Sequence, residues 1–325
     1  MSKITQTDYQ EYLELINQGN SQRTCCTILG LNRSTMQNYL KRVAEDEDSE
    51  SIEVKHMTRG DLLGTSKIEK QQPLAKSKPT IFVIADTQCK PSESLEYILW
   101  VGRYIADKKP DIVIMIGDWW DVPSLSSYDK GKASAEGRRF KDDLEAGNKG
   151  MELLNLELSK DPTYQPRKVF CKGNHEHRID RYVEDNPELK GTLGTELLPL
   201  KEYGWEVYDF LKPVEIEGIF FTHYLANPFT GKPYGGNAMS ILKTVGRSFV
   251  VGHKQTLDVA IRPTIDGKQQ IGIINGACYD FDESYKGFVG NYHFRGATML
   301  YECADGFALP KFISLDHMKE KYYSE

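Results

Sequence analysis

The sequence predicts an α/β protein, a central β-sandwich flanked by helices, with a small all-α module at its N-terminus. Three observations carry that prediction. Two short apolar runs, Ile81-Phe82-Val83-Ile84-Ala85 and Ile112-Val113-Ile114-Met115-Ile116, enclose an amphipathic stretch at 93–108. That is the pattern of a strand–helix–strand unit with strands buried on both faces. The later part of the chain is rich in further short strand patterns, whereas residues 1–43 show helical spacing only.

Within the first unit, Leu95, Ile98, Leu99 and Ile105 make the apolar side of the helix. A long polar loop leads to a second helix at about 136–159 and a strand at 168–171. Strands are then expected at 219–222, 249–251, 258–262, 270–275 and 297–302.

The 325 residues are 39% hydrophobic and 27% charged, enough for one large domain plus a small one and unlike a disordered chain. No apolar run reaches the ~18 residues of a membrane span, and the opening MSKITQTDYQEYLELINQ lacks the apolar core of a signal peptide. A cytoplasmic location is expected. The six cysteines form no CxxC pair and are expected to be reduced packing residues. A net charge of −6 excludes a protein that coats nucleic acid through its overall charge, so any such contact needs a local patch.

Three segments are expected: a module at 1–43, a charged linker at 44–78 and a large domain at 79–325. The linker opens on Glu45-Asp46-Glu47-Asp48-Ser49-Glu50 and ends in Lys76-Ser77-Lys78 before Pro79. In the module, Tyr9, Tyr12, Leu13 and Ile16 have helical spacing, Gly19-Asn20 stops that helix, and a second helix at 22–29 ends at Gly30. A third begins near Arg33. The segment from Thr27 to Leu40 resembles the helix-turn-helix of many DNA-binding proteins. That resemblance makes Arg33, Ser34, Thr35, Gln37, Asn38 and Lys41 the candidate nucleic-acid contacts, residue types that reach phosphates and base edges. The alternative is a small protein-docking or oligomerisation bundle.

Chemistry-bearing residues follow the predicted strands of the large domain: Asp86-Thr87-Gln88, Gly117-Asp118-Trp119-Trp120-Asp121, Gly173-Asn174-His175-Glu176, Thr222-His223 and Gly252-His253-Lys254-Gln255. Open α/β sheets place ligands at the carboxyl ends of strands. Carboxylates, imidazoles and amide oxygens are ligands for divalent metals, and paired metals neutralise charge in phosphoryl transfer. One such strand end means little; five in one chain are hard to attribute to packing.

Read in order as DTQ, GDWWD, GNHE, THY and GHKQ, these segments resemble the calcineurin-like metallophosphoesterase superfamily, whose pattern is DxH, GDxxD, GNH(D/E), a lone His and GHxH. The DTQ opening is similar to phage-encoded members, which implies a host-cytoplasmic setting. The resemblance implies two divalent metal ions. Asp118 would bridge them, Asp86 would bind the first, and Asn174, His223 and His253 would bind the second. His175 would serve as general acid, with Asp121 and Glu176 orienting their neighbours. Gln88 and Gln255 replace two family histidines, both belonging to the first metal. That leaves an oxygen-rich first site, expected to prefer Mn²⁺ or Mg²⁺ to Zn²⁺ (with Fe²⁺ also possible) and to bind more weakly. A degenerate first site with one working metal is the rival reading.

Further candidates are Arg178 for a substrate phosphate and the Gly/Pro-rich loop 227–236 as a lid, while His177, His293 and Arg295 read more simply as surface or structural residues. Trp119 and Trp120 are expected to pack rather than to stack on a base. The reaction implied is hydrolysis of a phosphodiester, in DNA, by a metal-bound hydroxide with His175 protonating the leaving oxygen. One alternative is a phosphatase or small-nucleotide phosphodiesterase whose N-terminal module docks a protein. Another is a non-catalytic DNA-binding protein with a decayed metal site.

Overall fold

The computed structural model describes residues 4–40, 78–283 and 286–323 and divides into two compact units, Met1–Pro73 and Leu74–Glu325. The expected linker, apart from Lys78, lies outside the described residues, as does Lys41.

The first unit holds α1 (Gln6–Asn17), α2 (Gln22–Ile28) and a third helix, α3, described over 33–40. Each start is capped by the chemistry the sequence supplies. Thr5 and Asp8 form a reciprocal capping box on α1, and Ser21 accepts the Thr24 N–H on α2. The Asn32 carboxamide accepts the Ser34 and Thr35 N–H groups at the start of α3. Tyr12, Cys25, Cys26 and Met36 are buried at the centre, with Leu15, Ile16, Leu29, Leu31 and Tyr39 packed around them. Arg33, Ser34, Gln37 and Asn38 are exposed and Thr35 is half-buried.

The second unit begins with β1 (Ile81–Ile84), α4 (Glu96–Lys108), β2 (Ile112–Met115), α5 (Phe140–Ser159), β3 (Arg167–Cys171), α6 (Glu176–Asp185) and β4 (Glu206–Tyr208). It continues through β5 (Val214–Ile216), β6 (Ile219–Thr222), α7 (Ala238–Val245), β7 (Phe249–Val251), β8 (Asp258–Pro263) and β9 (Gln269–Ile274). It ends with α8 (Gly287–Gly290), β10 (Gly296–Ala304), β11 (Phe307–Ser314) and α9 (Leu315–Tyr322). Two sheets result, ordered β11-β10-β1-β2-β3-β4 and β5-β6-β7-β9-β8. The run β1-β2-β3-β4 is parallel and so is β6-β7-β9; the outer partners are antiparallel.

Period-2 alternation sorts the side chains into layers. Ile81, Val83, Ile114 and Val169 meet Ile219, Phe221, Val250, Ile271 and Ile273 between the sheets. Phe82, Ile84, Val113, Met115 and Phe170 face the other way, into a core shared with α4, α5 and α9. α7 covers the outer face of the second sheet with Ile241 and Leu242 against Phe249 and Val251. Each such fully buried side chain contributes roughly 1.5–3 kcal/mol. The helix-flanked sandwich read from the sequence is therefore the observed architecture. All six cysteines are free and buried.

The strand patterns at 206–208, 214–216 and 307–314 are absent from the sequence reading for a physical reason. β4 and β5 are three residues long, and β11 is an edge strand with only two buried positions, broken by Pro310. Edge strands tolerate proline and lack continuous apolar runs.

Trp120 is fully buried against α5, its Nε1 donating to Asn148 Oδ1 at 3.1 Å. A Cβ on Gly147 would lie 1.8 Å from the Trp120 ring. Gly147→Ala is accordingly expected to destabilise the protein by about 2–3 kcal/mol through overpacking, read as a lowered midpoint in urea denaturation.

Candidate metal centre

The carboxyl ends of β1, β2, β3 and β7 line one cleft of 950 Å³, and the end of β6 is buried beside it, with His223 against Asp118. Parallel strands end side by side, so the loops leaving them lace together. Asp86 N donates to Gly117 O at 3.1 Å, Gln88 N to Asp118 O at 2.8 Å and Gly252 N to His223 O at 2.9 Å.

Five site residues, Asp86, Gln88, Asp118, His253 and Gln255, have φ between 49° and 66°. They are five of eleven non-glycine residues with positive φ among the described residues. This left-handed conformation costs a non-glycine residue about 1 kcal/mol or more. Its concentration here marks turns held in place for their side chains.

Glu176 holds the scaffold. Its fully buried carboxylate accepts the backbone N–H of Asp118 (3.0 Å), Trp119 (2.7 Å), Trp120 (3.1 Å) and Gly173 (2.7 Å). Burial pushes its pKa up, with Asp118 adding repulsion, while these donors pull the other way. The 117–120 turn is thereby tied to the 173–176 turn. Gly173 allows the approach, since a Cβ there would lie 2.1 Å from Asp118 Oδ1.

Asp118, His223 and His253 offer ligand atoms that all lie within 4.8 Å of one another. His223 Nε2 is 3.2 Å from Asp118 Oδ2, 3.2 Å from His253 Nδ1 and 2.8 Å from Asn174 Oδ1. His223 Nδ1 sits 3.0 Å from the Ile116 carbonyl and donates to it, so once the ring loses its second proton the Nε2 lone pair faces the site. This donor set fits a borderline divalent ion. It is the second-metal set expected from the sequence.

On the first-metal side, Asp86 Oδ2 accepts the His253 N–H at 2.8 Å. Asp86 Oδ1 and Gln88 Oε1 are buried with no hydrogen-bond partner. Such orphaned oxygens are costly unless a cation meets them. Gln255 is differently engaged: its Oε1 accepts from the Tyr279 hydroxyl at 3.0 Å and from the Lys286 ammonium.

Charges in the centre offset one another. Burial raises the Asp86 pKa to about 7 and is opposed by His223. Burial also acts on Asp118, but His175 and His223 outweigh it and hold its pKa below the usual range. For His223, burial is overcome by Asp118, and its pKa rises to about 9. His253 is lowered to about 4 by burial and by His223. His175 Nε2 is 3.5 Å from Asp118 Oδ2 and Nδ1 is 3.0 Å from Asp121 Oδ1. Those two carboxylates outweigh burial and raise its pKa.

The other candidates fall in varied places. Arg178 lines the cleft, but its Nη1 donates to Asp121 O at 2.7 Å and to Val122 O, bracing that turn. His177 stacks on Phe210 and is 3.6 Å from Asp180, away from the ligands. Trp119 and Trp120 are buried in the core, as expected. Loop 227–236 does not line the cleft; the 121–139 segment does, with Tyr128, Lys132, Arg138 and Arg139. His293 and Arg295 pack at the Tyr279 ring. Lys286 and Tyr279 were not legible as site residues, since neither belongs to a strand-end motif.

The family model for the calcineurin-like phosphoesterases matches residues 79–257, more than half of the chain. The chain belongs to that family. Among curated proteins, it is 34% identical over 103 residues to the Gene 54 protein of Mycobacterium phage D29, covering 32% of this chain and 38% of that protein. It is 29% identical over 180 residues to the Gene 54 protein of Mycobacterium phage L5, covering 53% and 68%. The chain thus spans well under half of the first of these relatives. Solved structures similar to this chain include an archaeal phosphodiesterase (16% identity, 72% of this chain and 99% of that one, TM-score 0.35). Another is the phosphoesterase YfcE of E. coli (14%, 73% and 99%, TM-score 0.35).

Two predictions follow from this geometry. Glu176→Gln puts an amide N–H₂ among backbone N–H donors, leaving at least one unpaired. It is expected to cost about 2–4 kcal/mol and to weaken Mn²⁺ binding, read by denaturation and by calorimetry. Metal binding must displace the proton that Asp118 stabilises on His223. Mn²⁺ affinity is therefore expected to rise with pH toward about 9, with proton release detected as a buffer-dependent heat.

Proposed function

We propose that the protein is a metal-dependent phosphodiesterase acting on DNA. The observation that carries the phosphoesterase reading is the convergence of Asp118, Asn174, His223 and His253 beside His175 on the floor of one cleft. A divalent ion held by those four residues would supply Lewis-acid charge to the phosphate and lower the pKa of water.

The chain's own residues set the rest. Glu176 fixes the turn that carries Asp118. Asp118 and Asp121 flank His175 and favour its protonated form, so a proton is available for the departing alkoxide near neutral pH. The retained His175 and full second-metal set speak against a decayed site.

DNA as the substrate rests on the N-terminal unit. Its third helix exposes Arg33, Ser34, Gln37 and Asn38, the residue types that contact phosphates and base edges. Arg139 is exposed at the cleft wall, but carboxylates outnumber cations among the residues lining the cleft, so attraction of a polyanion rests on the N-terminal unit. Mn²⁺ is the proposed cofactor because the first position offers oxygen donors only.

Labelled single- and double-stranded DNA would be incubated with Mn²⁺, Mg²⁺ or Zn²⁺. Mn²⁺-dependent cleavage that is lost in Asp118→Ala is expected. Turnover of bis-p-nitrophenyl phosphate without DNA cleavage would move the substrate to a small molecule or phosphoprotein. His175→Asn is expected to lower kcat by about 10²–10⁴-fold for an alkoxide leaving group and much less for p-nitrophenolate, which needs no proton. Removal of residues 1–43 is expected to weaken DNA affinity about tenfold or more through lost local concentration, measured by fluorescence anisotropy. Unchanged affinity and cleavage would count against a DNA-binding module.

A further inference from the structure

A lysine reaches Gln255 on the first-metal side. The Lys286 ammonium donates to Gln255 Oε1 and, at 2.8 Å, to the Tyr279 hydroxyl, which itself is 3.0 Å from that same oxygen. Gln255 stands where the family pattern has a metal-binding histidine. Its carboxamide oxygen, a ligand atom, is thus capped by a positive charge. Asp86 and Glu283 both attract that ammonium electrostatically.

The backbone around Lys286 is built to hold it there. Lys286 N donates to Glu283 O at 3.1 Å, and the Asn291 carboxamide binds Glu283 N, Glu283 O and Gly287 O. Glu283 is itself buried and paired with Lys90 at 2.9 Å. The orphaned oxygens of Asp86 and Gln88 show that the first position still presents donors to a cation. A divalent ion and an ammonium close to the same oxygens repel each other, and a low local dielectric strengthens that repulsion.

We infer that Lys286 competes with the first metal ion: one ion is held tightly by Asp118, Asn174, His223 and His253, and the first position fills only when Lys286 leaves Gln255. Gln255 then has two alternative partners, an ammonium or a metal ion, and the protein carries a built-in threshold for its second ion. The inference rests on reading this cleft as a metal centre.

Mn²⁺ binding to the full chain by equilibrium dialysis, with electron paramagnetic resonance on the same samples, tests it. Wild type is expected to bind in two steps separated by at least tenfold in affinity, giving an isolated-ion spectrum first and an exchange-coupled one at higher Mn²⁺. Lys286→Met is expected to tighten the second step at least tenfold and leave the first unchanged, which also reports an intact fold. Lys286→Arg, which keeps the charge, is expected to retain the weak second step. Two ions of equal affinity in wild type, or a second step untouched by Lys286→Met, would overturn the competition while leaving the metalloenzyme intact. A wild-type chain that binds no Mn²⁺ at all would instead sink the metal-centre reading, and the competition with it.

Discussion

The centre depends on one buried carboxylate that does not face the substrate. Glu176 accepts four backbone N–H groups from two different turns. Neither turn belongs to a ladder at those positions, so without Glu176 several buried donors would lack partners. The same bonds set the spacing between β2 and β3 ends, and therefore the place of Asp118 relative to Asn174 and His175. A glutamate at the first position of α6 also sits where the helix dipole favours negative charge. Fold and site are linked through this group.

Around it, the strand ends are strained in one consistent way. Asp86, Gln88, Asp118, His253 and Gln255 all take left-handed backbone conformations. Parallel strands run out together, and a left-handed residue just past the end turns the side chain sideways over the sheet edge. Packing in the two apolar layers below supplies the stabilisation that offsets this strain. The candidate ligands thus sit directly at the ends of rigid strands, which limits how far each can drift.

Electrostatics then divides the cleft. On the Asp118 side, negative charge is balanced by His223 and His175, both shifted toward the charged imidazolium. A metal ion bound there would have to displace protons. On the Asp86 side the histidines are missing, and a lysine lies against the glutamine that replaces one of them. Two substitutions that look like simple losses in the sequence are accompanied in space by a compensating charge.

The layers and the candidate ligand residues were legible in the sequence alone. The short β-branched apolar runs at 81–85 and 112–116 read as strands covered on both faces, and the motif segments directly follow such strands. The identities of Asp118, Asn174, His223 and His253 and the tie through Glu176 were legible because each lies at a fixed offset from its strand. Short or edge elements such as β4, β5 and β11 were not, because half-exposed strands lack periodic apolar signal. Only tertiary structure decided the partners that come from distant loops. Lys286 is 31 positions from Gln255, and Arg178 is turned by the fold toward the Asp121 and Val122 carbonyls. A lysine or arginine in a loop carries no local mark of what it will touch, since its contacts are fixed by how the two sheets bring the loops together.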